Sequence, residues 1–133
     1  MTLVMEQPIK ITRSHAIKIL EWCVKTYGKS KFNKTFPTLE FKKSDYYTEG
    51  CMAFYDEIES TIFVAKDLHT DLEELANSII HEYIHYKQNM RHYQVLALYL
   101  PDHRNPLEIE AEKTAKKDTK KCLKELFSLE SSK

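Results

Sequence analysis

"SIIHEYIHYKQ", Ser78 to Gln88, sets two histidines four residues apart with a glutamate directly after the first. Residues four apart on an α-helix differ by about 40° around the axis and about 6 Å along it. His81 and His85 therefore share a face, and their rings can converge on one ion. Glu82 is turned roughly 100° from His81. It flanks that ion without needing to bind it, and can take a proton from an attacking water. Metal-assisted hydrolysis needs this division of labour: neutral imidazoles as ligands and one base beside them. A shuffled chain of this composition yields H-E-x-x-H about once in forty tries, so the decision rests on the surrounding helix and a third ligand.

The surroundings support a cleft wall. With His81 as origin, Leu72, Ala76, Ile79, Tyr83 and Tyr86 fall within roughly 40° of the opposite side. Ser78, His85 and Gln88 lie on the histidine side. The competing reading is a solvent-facing helix with two chance histidines. Thr70 or Asp71 is expected to cap the helix, with Glu73 or Glu74 as capping-box partner. The helix is expected to run from about Leu72 into the low nineties, and Pro101 to end the segment after it.

Upstream, Ile17, Leu20, Val24 and Tyr27 recur at helical spacing over Ser14 to Tyr27, and Gly28 follows as a stop. Phe36 to Phe41, Gly50 to Tyr55 and Thr61 to Ala65 read as strands. The last two are joined by the polar "DEIES" and read as a hairpin. Downstream, Asn105 and Pro106 open a final helix to about Leu126. The expectation is an α+β fold: a small twisted three-stranded sheet with an N-terminal helix, the H-E-x-x-H helix and a C-terminal glutamate-bearing helix. The chain is expected to be one domain, 1–133, with 128–133 a frayed tail.

Composition narrows the function classes. Apolar residues make up 42% and charged residues 30%, with zero formal net charge. That is a globular balance with no general excess for nucleic acid. The start, "MTLVMEQPIKITR", lacks the charged start and apolar run of a secretory signal. No stretch approaches the ~20 apolar residues that span a bilayer, so no membrane association is expected. Cys23, Cys51 and Cys122 form no C-x-x-C and read as free thiols, which points to a cytoplasmic location.

A catalytic zinc takes three protein ligands and keeps one open position. His92, His103, Glu108, Glu110 and Glu112 are the candidates for the third. On a continuous helix His92 lies about 10 Å along the axis from His85. The metzincin extension is absent, since Gln88 stands at its glycine and Arg91 at its third histidine. On the last helix Glu108 heads a stripe of Ala111, Ala115, Thr119, Cys122, Leu123 and Leu126, which is the face expected to be buried. Glu110 is expected to face solvent. Glu112 lies about 40° off the stripe, one turn on. Glu108 has a structural alternative as the capping-box partner of Asn105. Glu112 has one as an ion pair with Lys116.

"HEYIH", followed after 23 residues by Glu108 in "NPLEIEAE", resembles the small gluzincin-type zinc metallopeptidases, the minigluzincins and their relatives. "GCMAFYDEIESTIFVAK" is similar to the hairpin these enzymes place ahead of the active-site helix. The resemblance spans roughly Gly50 to Ala115. It implies one Zn²⁺ per chain held by His81, His85 and Glu108, the last in an E-x-x-A setting ending at Ala111, with Glu82 as general base. The Asn-Glu pair of the larger thermolysin-like enzymes is missing. Tyr93, His92 and His103 are candidates for a donor to the oxyanion. The substrate is expected to be a peptide or protein, bound extended along the hairpin edge. Two rivals remain. One is a zinc-binding regulatory domain of the same fold with little peptidase activity, docking through Lys113, Lys116, Lys117, Lys120, Lys121 and Lys124. The other is a metal-free structural protein.

Overall fold

The computed structural model describes residues 10–44 and 51–127. The Asp71 side chain accepts the Glu74 N–H (2.8 Å), satisfying one of the free donors that open helix α2, Leu72–Lys87. Glu74 reaches back to the Thr70 N–H (2.8 Å) and hydroxyl (3.0 Å), so both expected caps take part. Leu75, Ala76, Ile79, Ile80, Tyr83 and Tyr86 are all fully buried. The apolar back of α2 is thus the centre of the core.

α2 stops earlier than expected. Gln88 leaves helical geometry (φ −90°, ψ 162°), and its N–H bonds to His85 O. Asn89 then caps a new helix, α3, Met90–Ala97, by accepting the N–H groups of Arg91 and His92. The expected continuation into the low nineties is therefore a break followed by a second helix. α3 buries none of its residues.

Helix α1, Arg13–Tyr27, begins at a capping box in which Thr12 and His15 exchange bonds. Its most buried positions are Ala16, Ile19, Trp22 and Cys23, while Ile17, Leu20, Val24 and Tyr27 pack on the flank. The buried face is turned by about one residue from the expected stripe, because α1 meets α2 and α4 together. Helix α4, Pro106–Leu126, has the expected bounds, with Asn105 capping and Pro106 at its first position. Ala111, Ala115, Thr119 and Cys122 are buried, as the stripe requires. The two alanines let α4 lie close along α2, its most extensive neighbour. Trp22 donates to Glu125 (2.7 Å) and Tyr27 to Asp118 (2.6 Å), tying α1 to α4.

Strands β1 (Thr38–Lys42), β2 (Ala53–Asp56) and β3 (Thr61–Ala65) form a mixed sheet in the order β1-β3-β2. β1 begins after Pro37 rather than at Phe36. β2 and β3 form the expected hairpin, with Asp56 accepting the Ile58 and Glu59 N–H groups in its turn. Gly50, the expected start of the second strand, and the tail 128–133 lie outside the described residues. Together these elements are the expected α+β fold.

β2 borders α2 and pairs only with β3 among the described residues. The Ala65 N–H donates to Met52 O (2.9 Å), which makes those two a hydrogen-bonded pair. Alternation along an antiparallel ladder makes Phe54 and Phe63 the next such pair. Ala53 and Tyr55 consequently turn their N–H and C=O groups to the open edge, beside α2. Cys23, Cys51 and Cys122 are free thiols. Among the described residues no helix is long and apolar enough to cross a membrane.

Candidate metal centre

His81 and His85 project from the front of α2, and Glu108 meets them from the first turn of α4. One Glu108 oxygen lies 3.2 Å from His81 Nε2 and the other 2.8 Å from His85 Nε2. The ligand atoms of the three residues all lie within 4.8 Å of one another, a group that can hold a metal ion. Tetrahedral ligand atoms at ~2.0–2.1 Å from a zinc ion stand about 3.3 Å apart. The His81 separation is close to that value, the His85 separation is shorter, and the ligand atoms lie within 4.8 Å of one another, so the donor set fits in kind and lies within reach of one ion.

The capping alternative for Glu108 does not hold. Asn105 caps through the Leu107 N–H (3.0 Å), and the Asn105 N–H bonds to Asp102 O (3.0 Å). The Glu108 carboxylate is left to face the histidines.

His85 shows how the site is tuned. It is buried, and its Nδ1 lies 2.8 Å from Gln88 Oε1. The Gln88 amide is fixed the right way round, because its nitrogen donates to Leu107 O (2.8 Å) and Glu110 Oε1 (2.7 Å). The His85 Nδ1–H therefore donates to Gln88, and Nε2 faces a carboxylate oxygen. Two lone pairs at that separation require a cation between them, either a proton or a metal ion. Burial holds the His81 imidazole below its ordinary pKa, and His85 adds to this against the pull of Glu108. His81 is thus kept in the neutral form that binds metals.

Glu82 sits beside the cluster in poorly solvated surroundings. Burial, reinforced by the charge of Glu108, pushes its carboxyl up to about 8, against the opposing backbone N–H of Tyr55. That N–H is one of the groups β2 turns to its open edge, so Glu82 lies where α2 and the strand edge meet.

Of the three candidate oxyanion donors, Tyr93 comes to the cluster. Its ring stands edge-on to His85 (5.3 Å between centroids), and its hydroxyl is 3.5 Å from Glu108 Oε1 and 3.2 Å from Asp102 Oδ1. Burial and the two carboxylates raise its pKa, so the phenol keeps its proton. The helix break brings it there by redirecting α3. His92 is exposed and lines a cavity of about 580 Å³ bordered by Tyr27, Phe32, Lys87 and Leu107. His103 is exposed on the one-turn helix Asp102–Arg104 and makes no hydrogen bond to the cluster among the described residues.

In the acidic run Glu110 faces solvent as expected, and it is also the acceptor that fixes Gln88. Glu112 lacks, among the described residues, the ion pair with Lys116 that was its alternative, and its charge is the smallest influence on His81. Residues the sequence reading passed over also matter. His69 is buried between Ala65 O (2.7 Å) and Ser78 Oγ (2.8 Å), tying the end of β3 to the histidine face of α2. Gln94 donates to Glu57 (2.7 Å), joining α3 to the hairpin turn. A lone histidine between two elements carries no signal of its own.

No protein-family model, curated protein or solved structure matches this chain.

Proposed function

We propose that this protein is a zinc-dependent metallopeptidase of gluzincin type, with His81, His85 and Glu108 as the ligands of one Zn²⁺. The observation that carries the reading is the convergence of these three side chains beside Glu82, against the edge of β2 that pairs with no other strand among the described residues. Two imidazoles and one carboxylate are the protein donor set of a hydrolytic zinc, which keeps its fourth position for water. A bound ion would act as a Lewis acid and bring the pKa of a water to about 7.

The chain's own residues do the remaining work. Glu82, ionised once the field of a bound cation outweighs its burial and the charge of Glu108, accepts the water's proton and passes it to the leaving amine. Tyr93 keeps its phenolic proton and stands beside Glu108, ready to donate to the oxygen that gains charge. The Tyr55 N–H is held by Glu82 and the Ala53 C=O by the Cys51 thiol, which leaves the Ala53 N–H and the Tyr55 C=O for an extended peptide to add as a further strand. Such binding reads side chains weakly, so unfolded segments are the natural substrates.

The test is elemental analysis, followed by cleavage of a denatured protein with and without a chelator. The Glu82→Gln variant controls for contaminating protease. Zinc uptake with chelator-sensitive cleavage that Glu82→Gln abolishes supports the reading. Zinc uptake without cleavage supports the zinc-binding regulatory domain instead.

A further inference from the structure

Gln88 lies outside the ligand set, yet its buried amide uses all three of its hydrogen bonds to join α2 to α4. The oxygen takes the His85 Nδ1–H, and the nitrogen is anchored by Leu107 O and Glu110. Leu107 and Glu110 flank Glu108 on the same turn of α4. The residues that fix Gln88 therefore move with the third ligand.

We infer that Gln88 is the positioning residue of the metal centre, with Glu110 acting through it. This rests on His81, His85 and Glu108 being metal ligands. The Gln88 oxygen holds the His85 proton on Nδ1, which commits the Nε2 lone pair to the ion. Glu110 stops the amide from rotating and presenting its NH₂ to His85, where it would compete for the same edge of the ring. Gln88 is the C-cap of α2: its backbone N–H still bonds to His85 O, and its ψ of 162° redirects only the chain that follows. Glu110 thus has a role although its side chain is at the surface, and Glu112, one turn on, has none in this link.

The test uses Gln88→Met, which preserves length and removes both donor and acceptor, together with Glu110→Ala and the double variant. Zinc affinity is measured by competition with a chromophoric chelator. Gln88→Met is expected to weaken zinc binding by 10–100-fold, the range for groups that orient a metal-bound histidine. Glu110→Ala is expected to weaken it several-fold alone and to add nothing in the Gln88→Met background, as for residues acting in series. Additive losses would overturn the link. A second readout needs no metal. His85 Nδ1–H should give an imidazole N–H resonance that survives solvent exchange in metal-free and zinc-loaded protein, and Gln88→Met should lose it. A resonance unchanged in Gln88→Met would overturn the inference in either form. If the parent takes up no zinc but shows the resonance, the metal reading fails and the Gln88–His85 contact stands.

Discussion

At the scale of single residues, Glu82 carries the sharpest consequences. Glu82→Gln keeps the shape and removes the proposed base, so on that reading hydrolysis should fall by about 10²–10⁴-fold. Zinc content should stay at the parent level, because Glu82 is not a ligand. The metal-free protein offers an independent check. The folded-state pKa of Glu82 is raised to about 8, above that of an unfolded glutamate. Its contribution is therefore fully present below the unfolded pKa and is lost as pH rises through about 8. Metal-free Glu82→Gln should then match the parent in acid and exceed it in stability at alkaline pH, by on the order of 1–4 kcal/mol. Urea unfolding across the pH range measures this, and a parent at least as stable as the variant at alkaline pH contradicts it. Much of this site was legible in the sequence. The phase of α2 put His81 and His85 together, and the alanine stripe of α4 aimed Glu108 at them. Gln88 read only as one more polar residue on the histidine face. Its role depends on the partners that α4 brings to it, and no local signal marks those.

Among the elements, the break between α2 and α3 was hidden because "KQNM" contains neither Gly nor Pro. Tertiary bonds decide it: Gln88 is drawn to α4, and Asn89 finds the first free N–H groups of α3. Asn89→Ala should cost about 1 kcal/mol of stability, the usual value of an N-cap. It should also free Tyr93, so that kcat falls while zinc affinity holds. Thermal unfolding alongside steady-state kinetics separates the two effects, and unchanged kinetics would leave Tyr93 without a catalytic role. The bounds of α4 were readable, since Asn then Pro is a strong helix start. The face of α1 was misread by one position, because a helix packed between two others buries an arc that no single stripe describes. The α2–α4 contact rests on Ala111 and Ala115, both fully buried. Ala111→Leu should cost about 1–3 kcal/mol by overpacking. It should also lower zinc affinity, since Ala111 lies one turn from Glu108. Loss of stability with zinc binding intact would show that Glu108 is not placed by this contact.

The whole molecule is a small sheet laid against a helical core, with one strand edge beside the histidine face of α2. The hairpin and its place before α2 could be read from the sequence. The parallel pairing of β1 with β3 could not, because it depends on a crossover between distant segments. An open edge at the site predicts that chain entry limits cleavage, so a denatured protein should be cut at least tenfold faster than the same protein folded, a factor worth about 1.4 kcal/mol. Equal rates on a gel time course would argue against strand addition. All of this depends on whether three side chains from two helices hold one ion. The most direct measurement is a zinc competition titration of the parent beside His81→Ala, His85→Ala and Glu108→Gln. The parent should bind one ion per chain, and each variant should lose at least an order of magnitude in affinity. A parent that takes up no zinc, or a Glu108→Gln protein that binds like the parent, would contradict the account.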